Sequence, residues 1–260
     1  MCNRSKQSSE TNPIRILVVE DNVPNQLVEC AILESAGYMA EVASDGRAAI
    51  KALESSPFDL VLMDCSMPVM DGFSATRSIR APGSRVIDRS IPIIALTASA
   101  LQEDAHKCLQ AGMDDYVKKP VDPAKLIGMI ERYLGRTPHG EPGFADSHSS
   151  EDTRRAGQVL TPELLDDVIE MFYAEVGCQI AGLQVAIESA DYDELGFISH
   201  KLRGSSELLG IGSIATLACA IDKAARQEDH EQVLVLAPKL LLELQRLLAE
   251  LAGADPEVMQ

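Results

Sequence analysis

The feature that most constrains this chain is a rhythm that stops halfway. Between residues 14 and 134, five short apolar runs alternate with amphipathic stretches; beyond residue 161 every stretch has helical periodicity instead. The runs are IRILVV (14–19), AEVA (40–43), LVLM (60–63), IPIIAL (91–96) and DYVK (115–118), and the intervening stretches predict helices near 25–36, 46–55, 73–80, 100–111 and 123–134. Runs of this length suit strands buried on both faces of a parallel sheet, and parallel neighbours need the crossover helices that the spacing provides. The first half therefore predicts an α/β doubly wound five-stranded parallel sheet, flavodoxin-like with strand order 2-1-3-4-5.

Past the sheet, GRTPHGEPGFADSHSSEDTRRAGQ (135–158) is rich in Gly, Pro, Ser and charge and has no apolar period. It reads as a linker. Thr161-Pro162-Glu163 then offers an N-cap residue, a proline suited to the first helical position and an acid in the first turn. Helical segments are expected near 162–174, 176–189, 192–209, 213–226 and 231–252, forming an all-α helical bundle. The expected layout is a disordered N-terminus (1–12), the α/β domain (13–135), a flexible linker (136–160), a four-helix bundle (161–254) and a C-terminal tail (255–260).

Charge narrows the partners. The net charge is -17, and from Thr161 onward 18 Asp and Glu stand against 6 Lys and Arg, a local balance of -12. A phosphate backbone must be met by clustered cations, so a nucleic-acid partner is not expected. The apolar run near the N-terminus, Ile16 to Val19, is too short for a signal or membrane segment, and the expectation is a soluble, cytoplasmic protein that inserts in no membrane. Six cysteines without a CxxC pair or zinc spacing fit reduced thiols.

Chemistry concentrates at the strand ends. Glu20 and Asp21 follow the first strand and Asp64 the third; in an open parallel sheet the ligand crevice lies beyond these carboxyl ends, where strand order reverses. An acid after a strand often only caps the next helix, which is the ordinary reading of each residue alone. Three together repel one another, and a divalent cation removes the conflict; Mg²⁺ suits an oxygen-rich site that also takes phosphate oxygens. Thr97 after the fourth strand and Lys119 after the fifth add a hydroxyl and an ammonium. The set is a phosphoryl-transfer constellation with Asp64 as nucleophile.

These residues carry a resemblance. ILVVEDNVPNQLV, DLVLMDCSMPVMDGFSATR, IPIIALTA and GMDDYVKKP resemble the receiver domain of two-component response regulators, especially receivers attached to hybrid histidine kinases, over residues 14 to about 134. The resemblance implies that Asp64 takes a phosphoryl group from a phosphohistidine. It implies that Asp21, Asp64 and the Ser66 backbone carbonyl hold Mg²⁺, with Glu20 acting largely through water. It further implies that Lys119 is the site lysine, Lys118 an extra surface charge, and Thr97 with Tyr116 the pair that reports phosphorylation. Met67-Pro68 and Asp71-Gly72 read as turn formers. A haloacid-dehalogenase-like phosphatase is the rival, but it needs a second aspartate where Ser66 stands.

In the helical half the informative stretch is ISHKLRGSSELLG (198–210). On a helical wheel Leu195, Ile198, Leu202, Ser206 and Leu209 share the buried stripe, which sets His200 opposite it, facing water. An exposed helical histidine is ordinarily unremarkable. Gly196 and Gly204, one turn to either side, change that reading, because glycine inside a helix costs about 0.5–1 kcal/mol relative to alanine. Their bareness clears room for an incoming group, and Arg203 stands ready to stabilise a phosphoryl group on His200, besides an i,i+4 pairing with Glu207. The pattern SHKLRGSSELLG, with LACAIDKAARQED after it, resembles the histidine-containing phosphotransfer (HPt) domain over about 161–253. Arg203 replaces the commoner lysine and keeps its charge.

The expected function is a two-component phosphorelay: a receiver charged on Asp64 by a histidine kinase or hybrid kinase, and an HPt domain exchanging phosphate on His200 with a receiver such as that of a downstream response regulator. No ATP-binding motif points to an autonomous kinase. The alternative is a phosphorylation-regulated binding module whose helical half docks or sequesters partner receivers without relay.

Overall fold

The computed structural model describes residues 13–97, 102–135 and 161–251. The proposed linker, the N-terminal segment and the C-terminal tail lie outside the described residues. The first half contains β1 (Arg15–Val19), α1 (Val23–Ser35), β2 (Met39–Ala43), α2 (Gly46–Ser55), β3 (Leu60–Asp64), α3 (Gly72–Arg80), β4 (Ile93–Thr97), α4 (Gln102–Ala111), β5 (Asp115–Lys118) and α5 (Pro123–Tyr133). All strand pairs are parallel, in the expected order β2-β1-β3-β4-β5. The residues at β1, β3 and β4 are buried on both faces: Leu17, Val61 and Ile93 enter one core, while Ile16, Leu62 and Ile94 enter the other. The two-residue alternation of a strand distributes one apolar run between two cores, at about 1.5–3 kcal/mol for each large side chain removed from water.

Sequence punctuation sets the helix starts. Asn22, Asp45, Asp71 and Asp122 each accept a backbone N–H of the first turn of α1, α2, α3 and α5. Asp71 and Gly72, read from the sequence as turn formers, are the cap and first residue of α3. Gly72 has a further reason: a Cβ there would lie 2.1 Å from the Asp64 carbonyl oxygen. Gly72→Ala is expected to cost about 3 kcal/mol, lowering the melting temperature by about 10 °C; an unchanged thermal melt would show that the loop gives way freely.

The second half is α6 (Pro162–Ser189), α7 (Tyr192–Leu208), α8 (Gly212–Arg226) and α9 (His230–Leu251). The two segments expected over 162–189 are one helix of 28 residues. Gly177 does not interrupt it, because Val176 and Leu183 on either side are fully buried and their packing outweighs one unfavourable propensity. Thr161 caps α6 through the Leu164 N–H, with Pro162 in the first turn. The bundle core comprises Phe172, Leu183, Leu195, Ile198, Leu202, Ile214, Ile221, Val233, Leu240 and their neighbours. No helix among the described residues is long and apolar enough to cross a membrane.

Candidate functional site

Parallel register brings the chemistry to one edge. Asp64 ends β3 opposite Leu96, and Thr97 ends β4 opposite Lys118, so Glu20, Asp21, Asp64, Thr97 and Lys119 all emerge from the carboxyl side of the sheet. One carboxylate oxygen from each of Glu20, Asp21 and Asp64 lies within 4.8 Å of the other two. The Lys119 ammonium donates to Asp64 Oδ2 at 2.7 Å and also to Glu20. Lys118, its neighbour, is exposed, which separates the site lysine from the surface one. Thr97 is buried at the same edge and its carbonyl accepts the Lys119 N–H at 2.7 Å. Tyr116 is partly buried against the core that holds Ala95 and Met113.

The electrostatics follow from burial among like charges. Burial, reinforced by the Asp64 and Glu29 charges and opposed by Lys119, holds the Glu20 carboxyl well above its ordinary range. Burial and the Asp64 charge likewise raise Asp21. Burial disfavours the Lys119 ammonium, yet the Asp64, Glu20 and Glu29 carboxylates outweigh it and push the lysine upward. Asp21 Oδ2 is buried without a hydrogen bond. Its nearest cation is the Lys201 ammonium at 3.5 Å, so a buried anionic oxygen with no hydrogen bond beside two other carboxylates is a fit for a divalent cation, which takes oxygen ligands and cancels their repulsion.

The bundle meets this edge. His200 on α7, Lys201, Arg203, Gly204 and Glu207 line one small cavity together with Glu20, Asp21, Asn22, Asn25, Asp64, Ser66 and Lys119; at about 20 Å³ it admits a single water-sized species. The stripe expected for α7 is buried as foreseen at Leu195, Ile198, Leu202 and Ser206. His200 does lie off that stripe, but it does not face open water: its side chain is only 17% exposed, because the α/β domain covers it. Nε2 lies 3.1 Å from the Ser66 carbonyl oxygen, which can only accept, so Nε2 carries hydrogen in this arrangement. Nδ1 lies 3.4 Å from Asp222 Oδ2 and 3.3 Å from Arg203 Nη2.

Three readings of the flanking residues change. A Cβ at Gly196 would meet Ala225 Cβ at 2.8 Å, so this glycine lets α7 and α8 close together and is not a phosphate clearance. A Cβ at Gly204 would meet Asn25 Nδ2 of α1 at 3.1 Å, so its bareness admits the other domain. Arg203 donates to Asp222 at 2.8 Å, a different partner from the Glu207 carboxylate that helical spacing suggested. Asp222, Arg226, Lys201 and Glu29 were not foreseen. Asp222 gathers His200, Arg203 and Arg226 from α7 and α8, and although burial alone would raise it, the His200 hydrogen bond and charge with the Arg226 and Arg203 guanidinium groups bring its carboxyl down to about 2. The only trace of it in the sequence is the i,i+4 spacing of Asp222 and Arg226.

A phosphoacceptor-type α/β domain set against a histidine-bearing bundle defines the class, and comparison with known proteins places the chain within it. Residues 16–131 match the response regulator receiver domain and residues 167–254 match the Hpt domain, so the chain belongs to these two families as a receiver–Hpt fusion. It is 33% identical over 219 residues to the sensor protein GacS of Pseudomonas syringae pv. syringae, covering 79% of this chain and 24% of that protein. It is 40% identical over 129 residues to the hybrid signal transduction histidine kinase B of Dictyostelium discoideum, covering 46% of this chain and 7% of that one. The chain thus spans about a quarter or less of the length of these relatives. Among solved structures, the receiver domain of the sensor histidine kinase PA1611 from Pseudomonas aeruginosa PAO1, described with a magnesium ion coordinated in its active site cleft, is 48% identical, covers 48% of this chain and 99% of its own, and has a TM-score of 0.44.

Proposed function

We propose that this chain is a phosphorelay carrier: its receiver accepts a phosphoryl group on Asp64 from the phosphohistidine of a histidine kinase or hybrid kinase, and its Hpt domain exchanges phosphate between His200 and a receiver aspartate, including that of a downstream response regulator. The observation that carries this reading is a cavity lined by both Asp64 and His200. Glu20, Asp21, Asp64 and the Ser66 carbonyl would hold Mg²⁺, which when bound supplies positive charge to the phosphoryl oxygens. Asp64 attacks phosphorus as a carboxylate while the bond from phosphorus to the donor histidine nitrogen breaks, and the imidazole leaves with the electron pair. Lys119, already bonded to Asp64, follows charge onto the phosphoryl group. Thr97 and Tyr116 are assigned to reporting that event at the β4–β5 edge.

At the histidine, the reactive nitrogen must present a lone pair. Moving the ring proton to Nδ1 sets it against Asp222 and frees Nε2, and Asp222 then stabilises the cationic ring that forms on phosphorylation. Arg203 and Arg226 stand beside Nδ1 and offer guanidinium N–H groups to phosphoryl oxygens. This oriented histidine favours relay over a binding module, which needs no proton placement. The described cysteines are free thiols, as suits the reducing cytoplasm in which we place the protein.

The test separates the two bonds by stability. Acetyl phosphate with Mg²⁺ is expected to label the wild type with a base-labile acyl phosphate and to leave Asp64→Asn unlabelled; equal labelling of both would overturn the receiver assignment. A phosphorylated receiver is expected to leave a base-stable label that His200→Gln lacks. A base-stable label on His200→Gln would move the phosphate to another residue.

A further inference from the structure

We propose that Cys65 and Cys108 are a dithiol site that a hydroperoxide closes to a disulfide, and that closure disables the neighbouring Asp64. Cys65 directly follows Asp64 at the end of β3, and Cys108 lies on α4. Their sulfurs are 3.8 Å apart, so one thiol donates to the other. The two residues are 43 positions apart in sequence, and packing of α4 against the sheet is what brings them together, in the core that also holds Ile79, Ala95 and Met113. The cysteine pair stands apart from the relay reading; its effect on Asp64 rests on that reading.

Burial on every side would leave such a pair inert, because thiol oxidation needs access. Access exists on one side. Cys65 lines a cavity of about 400 Å³ between the two domains, walled by Met67, Pro68, Phe73, Tyr192 and Phe197. Hydrogen peroxide is scarcely larger than water, whose share of liquid volume is about 30 Å³, and enters such a space freely. Cys108 is 1% exposed and lies behind Cys65. Cys65 is therefore the thiol attacked first and Cys108 the one that resolves. The hydrogen bond with Cys108 and burial both push the Cys65 thiol up, so the first step is slow and answers to sustained peroxide rather than to a brief pulse. A disulfide that forms under oxidant and is reduced afterwards is the kind a reducing compartment allows.

The chemistry balances. Cys65 Sγ gives up its proton and attacks one peroxide oxygen, the O–O bond breaks, and water leaves with that proton, making Cys65 a sulfenic acid. Cys108 Sγ then attacks the Cys65 sulfur, the S–O bond breaks, and a second water carries away the Cys108 proton. Two thiols lose two electrons and one peroxide becomes two waters. Closure draws the sulfurs from 3.8 Å to about 2 Å. Cys65 does not move alone, because its N–H donates to the Leu96 carbonyl at 3.1 Å and its own carbonyl accepts the Gly72 N–H at 3.3 Å. The pull passes into the end of β3 and the start of α3, between which Asp64 is held, and a misplacement of about 1 Å costs about a hundredfold where attack must be in line.

The full-length protein is held in millimolar hydrogen peroxide for hours, its remaining thiols are alkylated, and it is digested with trypsin. The wild type is expected to yield peptides 52–77 and 108–118 joined by a bond that dithiothreitol cleaves, and neither Cys65→Ser nor Cys108→Ser to yield them joined. Peptide mapping is the readout because Cys178 and Cys219 are exposed and oxidise as well. Absence of the joined pair from the wild type would overturn the site. In the joined protein, labelling of Asp64 by acetyl phosphate with Mg²⁺ is expected to fall at least about tenfold. Dithiothreitol is expected to restore it, which methionine oxidation would not allow, and Cys108→Ser carried through the same treatment is expected to keep its labelling. Labelling that survives the cross-link, or that Cys108→Ser loses equally, would overturn the control of Asp64 by the pair. Failure of the untreated wild type to label would instead overturn the receiver assignment, and the peptide result would stand.

Discussion

Lys119→Met should destabilise the protein by about 3–5 kcal/mol at pH 8 in the presence of a chelator, because it leaves buried carboxylates without their cation. Lys119 and Glu20 are 9% and 1% exposed, and the ammonium bonds to both Glu20 and Asp64. With methionine in place, each carboxylate faces the other across a site that water screens poorly. Acid relieves the conflict by protonating one of them, so the deficit is expected to shrink as pH falls to 5. Urea unfolding at the two pH values measures it; a deficit of the same size at both would mean that lost packing, not charge, is responsible. Mg²⁺ should restore more stability to Lys119→Met than to the wild type, since a cation at the acids replaces what the lysine supplied. Labelling of Asp64 by acetyl phosphate should fall by about a hundredfold or more.

The second large effect concerns Glu29, which lies on α1 behind the pocket. It is 2% exposed and its Oε2 has no hydrogen-bond partner. Burial first, opposed by Lys119 and reinforced by the Asp64 charge, lifts its carboxyl to about 7 from the ordinary 4.5. A carboxyl raised in the fold favours folding fully below its unfolded value and loses that contribution as pH rises through the folded one. At pH 8 the ionised Glu29 therefore costs the protein about 3 kcal/mol relative to pH 4. Glu29→Gln removes the titration and keeps the shape. It is expected to be more stable than the wild type at pH 8 by about that amount, with the advantage gone near pH 4. Chemical denaturation in chelator across this range tests it, and a pH-independent difference would show that Glu29 is not titrating there.

Much of this architecture was readable from local pattern. Five apolar runs at strand length, and helices begun by the caps Asn22, Asp45, Asp71 and Asp122, specify the sheet and its crossovers, and strand order then brings Glu20, Asp21, Asp64 and Lys119 to one edge. The bundle was readable for the same reason, from the period that buries Leu195, Ile198 and Leu202. The single 28-residue α6 was not: two segments, 162–174 and 176–189, were expected, and the buried face of Phe172, Val176 and Leu183 runs through the break between them. His200 was placed off the buried stripe but wrongly in open water.

The sequence by itself determined which candidate residues reach the sheet edge and which lie off the buried stripe of the bundle, because strand alternation, helix period and caps act over a few residues and are written in order along the chain. Only the tertiary structure decided how those residues are held: Asp222 beneath His200, Ala225 against Gly196, Asn25 against Gly204, Lys201 beside Asp21 and Val168 sunk into the other domain. Each of these depends on two elements far apart in sequence approaching within a few ångströms. Side-chain volume and charge decide that approach only once both surfaces exist.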